Sequence, residues 1–167
     1  MARRFPGYVH TRVWQMPDGL GVEYRCRIEE EDELTTVDVH MLPLNATDAV
    51  LGADVLHALQ NVQVRSWEQL DPALARMEKE FPDYDELWQR HHSVYLSFDP
   101  KDEAHLNLDA RAAKLNKPNR TRIASDSSKV AVGAAGRKLL AQLGPAAPAR
   151  AAAKKTAQKS VARKKKS

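Results

Sequence analysis

At 167 residues and 43% apolar content, the chain can close one sizeable core, and its single cysteine, Cys26, excludes an internal disulfide scaffold. Its formal charge of +4 hides a segregation: residues 1–126 hold fifteen Lys or Arg against twenty-two acids, whereas residues 127–167 hold eleven Lys or Arg and no acid. No apolar run approaches the length of a membrane span and no secretory apolar stretch follows Arg3 and Arg4, so the expectation is a cytoplasmic protein with no membrane partner, nucleoid-associated in a bacterium or nuclear in a eukaryote.

Residues 8–16 are rich in β-branched and aromatic side chains, and Pro17-Asp18-Gly19 supplies turn chemistry before Val22, Tyr24, Cys26 and Ile28 alternate with Glu23, Arg25, Arg27 and Glu29. That period of two predicts a hairpin whose second strand has one face buried and one wet, with Cys26 on the apolar side as an inert thiol. The acidic cluster at 29–33 reads as a solvated turn. Val37, Val39 and Met41 then predict a third antiparallel strand over 35–42, which completes a meander.

Beyond Pro43 the period changes. Val50, Leu51, Val55, Leu56 and Leu59 share one helical face, with Asn45 or Thr47 available as the cap. Ser66 to Gln69 has the form of a capping box, and Trp67, Leu70, Leu74 and Met77 follow at helical spacing, with Pro72 early enough to be tolerated. Asp83 can cap a short third helix through Leu87 and Trp88, and Val94, Leu96 and Phe98 alternate as in a strand closed by Asp99-Pro100. With Trp14, Trp67 and Trp88 all in the first ninety residues, the core is expected there. From Leu106 the character shifts, and Leu108, Ala112 and Leu115 predict a helix, with Arg111 and Lys114 among its other positions, stopped by Lys117-Pro118. A last helix over 130–143 ends at Gly144-Pro145, weakened by Gly133 and Gly136 at roughly 1 kcal/mol each relative to Ala.

The fold class expected is therefore α+β: an acidic body over residues 1–105 built on a small antiparallel meander of three to four strands packed against helices, a basic helical segment over 106–143, and a disordered cationic tail over 144–167. Residues 1–105 hold ten Lys or Arg against twenty acids, and residues 106–167 hold sixteen against two. The tail consists of Ala, Lys, Arg, Pro, Ser and Thr with little apolar side chain to offset the entropy of ordering. In composition it resembles the tails of linker-histone-like and bacterial histone-like proteins.

Arg150, Lys154, Lys155, Lys159, Arg163, Lys164, Lys165 and Lys166 are the tail's candidate phosphate contacts, because each cation near a phosphate releases a condensed counterion without requiring a fixed backbone. Lys114, Lys117, Arg120 and Arg122, clustered around Asn116 and Asn119, could add contacts to base edges. The function expected from charge alone is sequence-nonspecific association with DNA or RNA. The alternative is a protein-interaction or regulatory module whose acidic body binds a basic partner while the tail solubilises or autoinhibits. A third reading, a metal-dependent hydrolase, would use His91, His92 and His105 with Asp99, Asp102 and Glu103, but adjacent histidines on a helix diverge by about 100° and match no short metal motif. His10, His40 and His57 are read as structural. There is no nucleophile elbow, phosphate loop or paired cysteine, so neither catalysis nor a cofactor is expected.

Overall fold

The computed structural model describes residues 5–82, 84, 92–111 and 119–144. Its strands are β1 Val9–Met16, β2 Gly19–Ile28, β3 Leu34–Leu42, β4 Gln63–Arg65, β5 Ser93–Phe98, β6 His105–Arg111 and β7 Asn119–Ala124. Three helices accompany them among the described residues: α1 Asp48–Gln60, α2 Trp67–Glu80 and α3 Lys129–Gln142. They form one α+β unit. The main path of the sheet is β3-β2-β1-β5-β6-β7, antiparallel throughout, while the short β4 lies parallel to the end of β2.

The expected meander is its first half, and the expected caps close its helices. Thr47 Oγ1 accepts from the Val50 N–H at 3.3 Å, and Ser66 and Gln69 make the reciprocal capping box at 3.4 and 3.2 Å. The third helix expected after Asp83 falls outside the described residues, as do Trp88 and the tail from 145 onward.

Alternation places Val9, Val13, Leu20, Val22, Val94, Leu96, Leu106 and Leu108 in one cluster with Leu51, Val55 and Leu59 of α1 and Val132, Leu139 and Leu140 of α3. Burial of each such side chain contributes about 1.5–3 kcal/mol. On the opposite side of β1, Trp14 and Met16 pack with Val39 and Met77 of α2, and Leu70 of α2 joins Cys26 and Ile28. The sheet is thus covered differently on its two faces, α1 and α3 together on one and α2 toward the β3 edge of the other.

Three expectations need correction. Residues 106–115 do not open with a helix: Leu106, Leu108 and Ala110 point into the core as alternate residues of β6, paired to β5 and β7. The residues read as a basic helical segment instead add two strands and α3 to the sheet and core of the body. Trp67 is not a core side chain, at 40% exposure. Finally, the supposed wet face of β2 is buried at Glu23 and Arg25, because those side chains neutralise each other beneath Tyr84.

α1 and α3 cross on glycine. A methyl group on Gly52 would strike the Lys129 carbonyl oxygen, and one on Gly133 would strike the carbonyl oxygen of Asp48. Arg137 locks the crossing by donating to Asp48 Oδ1 at 2.8 Å and to the carbonyl oxygens of Leu44 and Ala46.

Candidate interaction surfaces

The face of the sheet turned away from α1 and α3 carries a register-built array. Arg12, Tyr95, Asp109 and Arg120 lie in one row across β1, β5, β6 and β7; His10, Ser97, Asn107 and Arg122 form the next row, and Trp14, Ser93 and Arg111 the one on the other side. Arg111 lies 4.7 Å from the Tyr95 ring centre and Arg12 lies 5.7 Å from it, so the ring's negative face holds two guanidinium groups. Tyr8 and Tyr95 share a hydroxyl hydrogen bond of 3.0 Å, and the His10 ring sits 4.8 Å from Tyr95.

Beneath this array Glu23 is fully buried and accepts from Trp14 Nε1 at 2.7 Å, Tyr84 Oη at 2.6 Å and Arg25 Nε at 3.1 Å. Arg25 also donates to His10 Nε2 at 2.6 Å. Because a guanidinium has no lone pair to offer, Nε2 must accept, which puts the His10 proton on Nδ1. Burial, reinforced by the charges of Arg25, Arg12, Arg111 and Arg27, pushes the His10 pKa down to about 3. His10 is therefore neutral and structural near neutrality, as the sequence suggested.

At the other edge of the sheet the charge is reversed. The turn between β2 and β3 exposes Glu29, Glu30, Glu31, Asp32 and Glu33, closed by a 2.8 Å bond from the Ile28 N–H to the Glu33 carbonyl oxygen. Asp32 takes the left-handed conformation (φ 53°), which a short polar side chain tolerates best among non-glycine residues, and its carboxylate accepts from Arg27 at 2.7 Å. Beside the turn, Trp67, 40% exposed, donates its indole N–H to Glu31 Oε1 at 3.2 Å, and Val64 of β4 is 61% exposed. Glu68 and Asp71 extend the acidic surface along the first turns of α2.

Of the residues singled out from sequence, Arg120 and Arg122 belong to β7 and point to the array face, paired with Asp109 at 2.8 Å and Asp102 at 3.6 Å. Lys114, Lys117 and the eight tail cations fall outside the described residues. The histidine–carboxylate constellation is not assembled. His92 precedes β5 and bonds the Gly144 carbonyl oxygen, whereas His105 begins β6 and bonds Asp102 at 2.8 Å, so the β5–β6 hairpin separates the two by about 20 Å. His91 lies outside the described residues, Asp99 accepts from the Lys101 N–H, and the Glu103 carbonyl oxygen accepts from Ser125. Among the described residues no three His, Cys, Asp or Glu side chains gather as metal ligands.

Reading the sequence in isolated segments missed Arg12, Tyr95 and Arg111, which only strand pairing brings together. It also missed a chain of side chains between β2, β3 and α1, in which Tyr24 donates to Asp54 at 2.5 Å, His40 bonds the same carboxylate at 2.9 Å and His57 reaches the Tyr24 hydroxyl at 3.2 Å. Burial and the Asp54 carboxylate raise the Tyr24 pKa, keeping the hydroxyl protonated as a donor. Burial likewise raises the Cys26 thiol, in keeping with an inert packing role.

No protein-family model matches the chain, and no curated protein matches its sequence. Solved structures do share its fold. A protein of unknown function from Neisseria meningitidis superposes with a TM-score of 0.56 at 17% identity, over 86% of this chain and 99% of the other. A chain from the CdiA-CT/CdiI toxin and immunity complex of Yersinia pseudotuberculosis superposes with a TM-score of 0.54 at 14% identity, over 83% of this chain and 98% of the other. The likeness is one of fold, and it runs over nearly the whole of both other chains. No helix among the described residues is long and apolar enough to cross a membrane.

Proposed function

We propose that this chain is a protein-interaction module whose acidic surface, around the 29–33 turn and the start of α2, receives a basic protein partner. The observation that carries this reading is Trp67: an indole 40% exposed whose N–H is bound by Glu31, on a surface where Glu29, Glu30, Glu33 and Glu68 are exposed as well and Val64 of β4 is 61% exposed. An aromatic anchor within a charged rim is how hot spots are built, the ring supplying buried area and the rim supplying steering and specificity. The likeness to a chain from a toxin and immunity complex supports the same class of function.

Co-purification of the full chain from its own cells, followed by mass spectrometry and calorimetry on the retained partner, tests this reading. The expected outcome is a stoichiometric basic protein whose binding weakens by about 2 kcal/mol, roughly thirtyfold, in Trp67→Ala, and is abolished in a Glu29→Lys, Glu31→Lys double variant. Binding unchanged in both variants, or a retained partner that is acidic, would overturn it.

A further inference from the structure

The β6–β7 end of the sheet has a character that the acidic surface does not explain. Residues 105–144 hold eight Lys or Arg against two acids, and residues 110–124 hold five Lys or Arg and none. We propose that the array face around Arg111, Arg120 and Arg122 binds the phosphate backbone of a nucleic acid.

Strand geometry makes the argument. Arg120 and Arg122, two apart on β7, project from the same face about 6.6 Å apart, close to the separation of successive phosphates along an extended strand. Arg111 projects from the same face of the adjoining strand β6. Two of the three guanidiniums are oriented, while Arg122 lies exposed with Asp102 at 3.6 Å. Asp109, mostly buried, lies 2.8 Å from Arg120 Nε and fixes one side of its fork. Arg111 has no carboxylate partner among the described residues and is oriented by the Tyr95 ring. Planar forks fixed in this way suit tetrahedral phosphate oxygens, and they engage without the ordering cost that a floppy lysine bears.

The contacts available are to phosphates, not to bases. Tyr95 is already occupied by His10, Arg12 and Arg111, so no free ring is offered for stacking, and binding is indifferent to base sequence. The acidic turn sits at the opposite edge of the sheet, so the molecule's own field turns the β7 edge toward a polyanion.

The full-length chain, a fluorescent single-stranded RNA of about twenty nucleotides and a DNA duplex of the same length provide the test, by anisotropy titrations between roughly 50 and 200 mM salt. An Arg111→Gln, Arg120→Gln, Arg122→Gln variant is expected to bind at least tenfold more weakly at the lower salt even with residues 145–167 present. Its duplex salt slope should flatten by about three units, near 0.9 for each phosphate that is no longer neutralised. The corresponding triple lysine variant should recover the salt slope but only part of the affinity, because the charge returns without the fixed fork. In the unaltered protein, bound RNA should protect these three arginines from an arginine-modifying reagent, a readout that requires no variant to fold. Unchanged affinity and slope in the glutamine variant, or no protection, would overturn the proposal. Competition by poly-glutamate as effective as by RNA at equal charge would also overturn it, in favour of an acidic protein. None of these outcomes bears on Trp67 and the acidic surface, so the two proposals stand or fall separately.

Discussion

Glu23 is the side chain on which the array face depends, and the sequence placed it in water. It is fully buried, yet it carries an ion pair with Arg25 at 2.5 Å and hydrogen bonds from Trp14 and Tyr84. Leaving a buried charge without its counter-ion costs far more than removing an ordinary packing neighbour. Glu23→Ala, which strands Arg25 in the interior, is therefore expected to destabilise the fold by about 3 to 5 kcal/mol in urea unfolding. A loss below about 1 kcal/mol would mean that Arg25 escapes to solvent. His10 gives a pH dependence with a definite sign. Folded, it titrates near 3; unfolded, it titrates near 6.5, so between these values the unfolded chain binds a proton that the folded chain refuses. Stability should hold above pH 6.5 and decline as the pH falls toward 3. His10→Gln should lose less than the unaltered protein between pH 7 and about pH 4.5, and equal losses would remove His10 as the cause.

Gly133 and Gly136 show how the packing of an element can reverse a local preference. Both lower helix propensity, and from sequence both merely weaken α3. In the fold Gly133 lies against the Asp48 carbonyl oxygen at the crossing with α1, while a methyl group at Gly136 would meet nothing within 4 Å. Gly133→Ala is therefore expected to destabilise by about 1 to 3 kcal/mol through overpacking, and Gly136→Ala to stabilise by about 1 kcal/mol, both by denaturant midpoint. Equal effects would show that the crossing relaxes. The ambiguity of residues 106–115 has a similar origin. Leu108, Ala112 and Leu115 match a helical period as well as Leu106, Leu108 and Ala110 match a strand, and a short apolar pattern cannot decide between them without the neighbouring strands β5 and β7.

Across the molecule, charge is sorted by sheet order. The acids at 29–33 and on α2 lie toward the β3 edge, the arginine forks toward the β7 edge, and α1 and α3 cover one face between them. A protein polarised in this way is steered, so that association at either edge should slow as salt rises, by screening over a Debye length of about 10 Å at 0.1 M. The helices and the sheet face thus divide the labour: the clustered apolar side chains hold the fold, and the two edges are left for partners.

Much of the local structure was legible in sequence because its causes are local. The caps at Thr47 and Ser66, the β1–β2 turn, the alternation of β5, the helix before Gly144 and the uneven charge all follow from residues within a few positions of one another. Three things were decided by tertiary structure. Strand pairing gathered Arg12, Tyr95, Arg111, Arg120 and Arg122 from four separate strands onto one face. Packing buried Glu23 and Arg25 and expelled Trp67, and the sheet took β6 from a pattern that could equally have been a helix. Periodicity records which side of an element is apolar, but only long-range pairing and packing determine what that side meets.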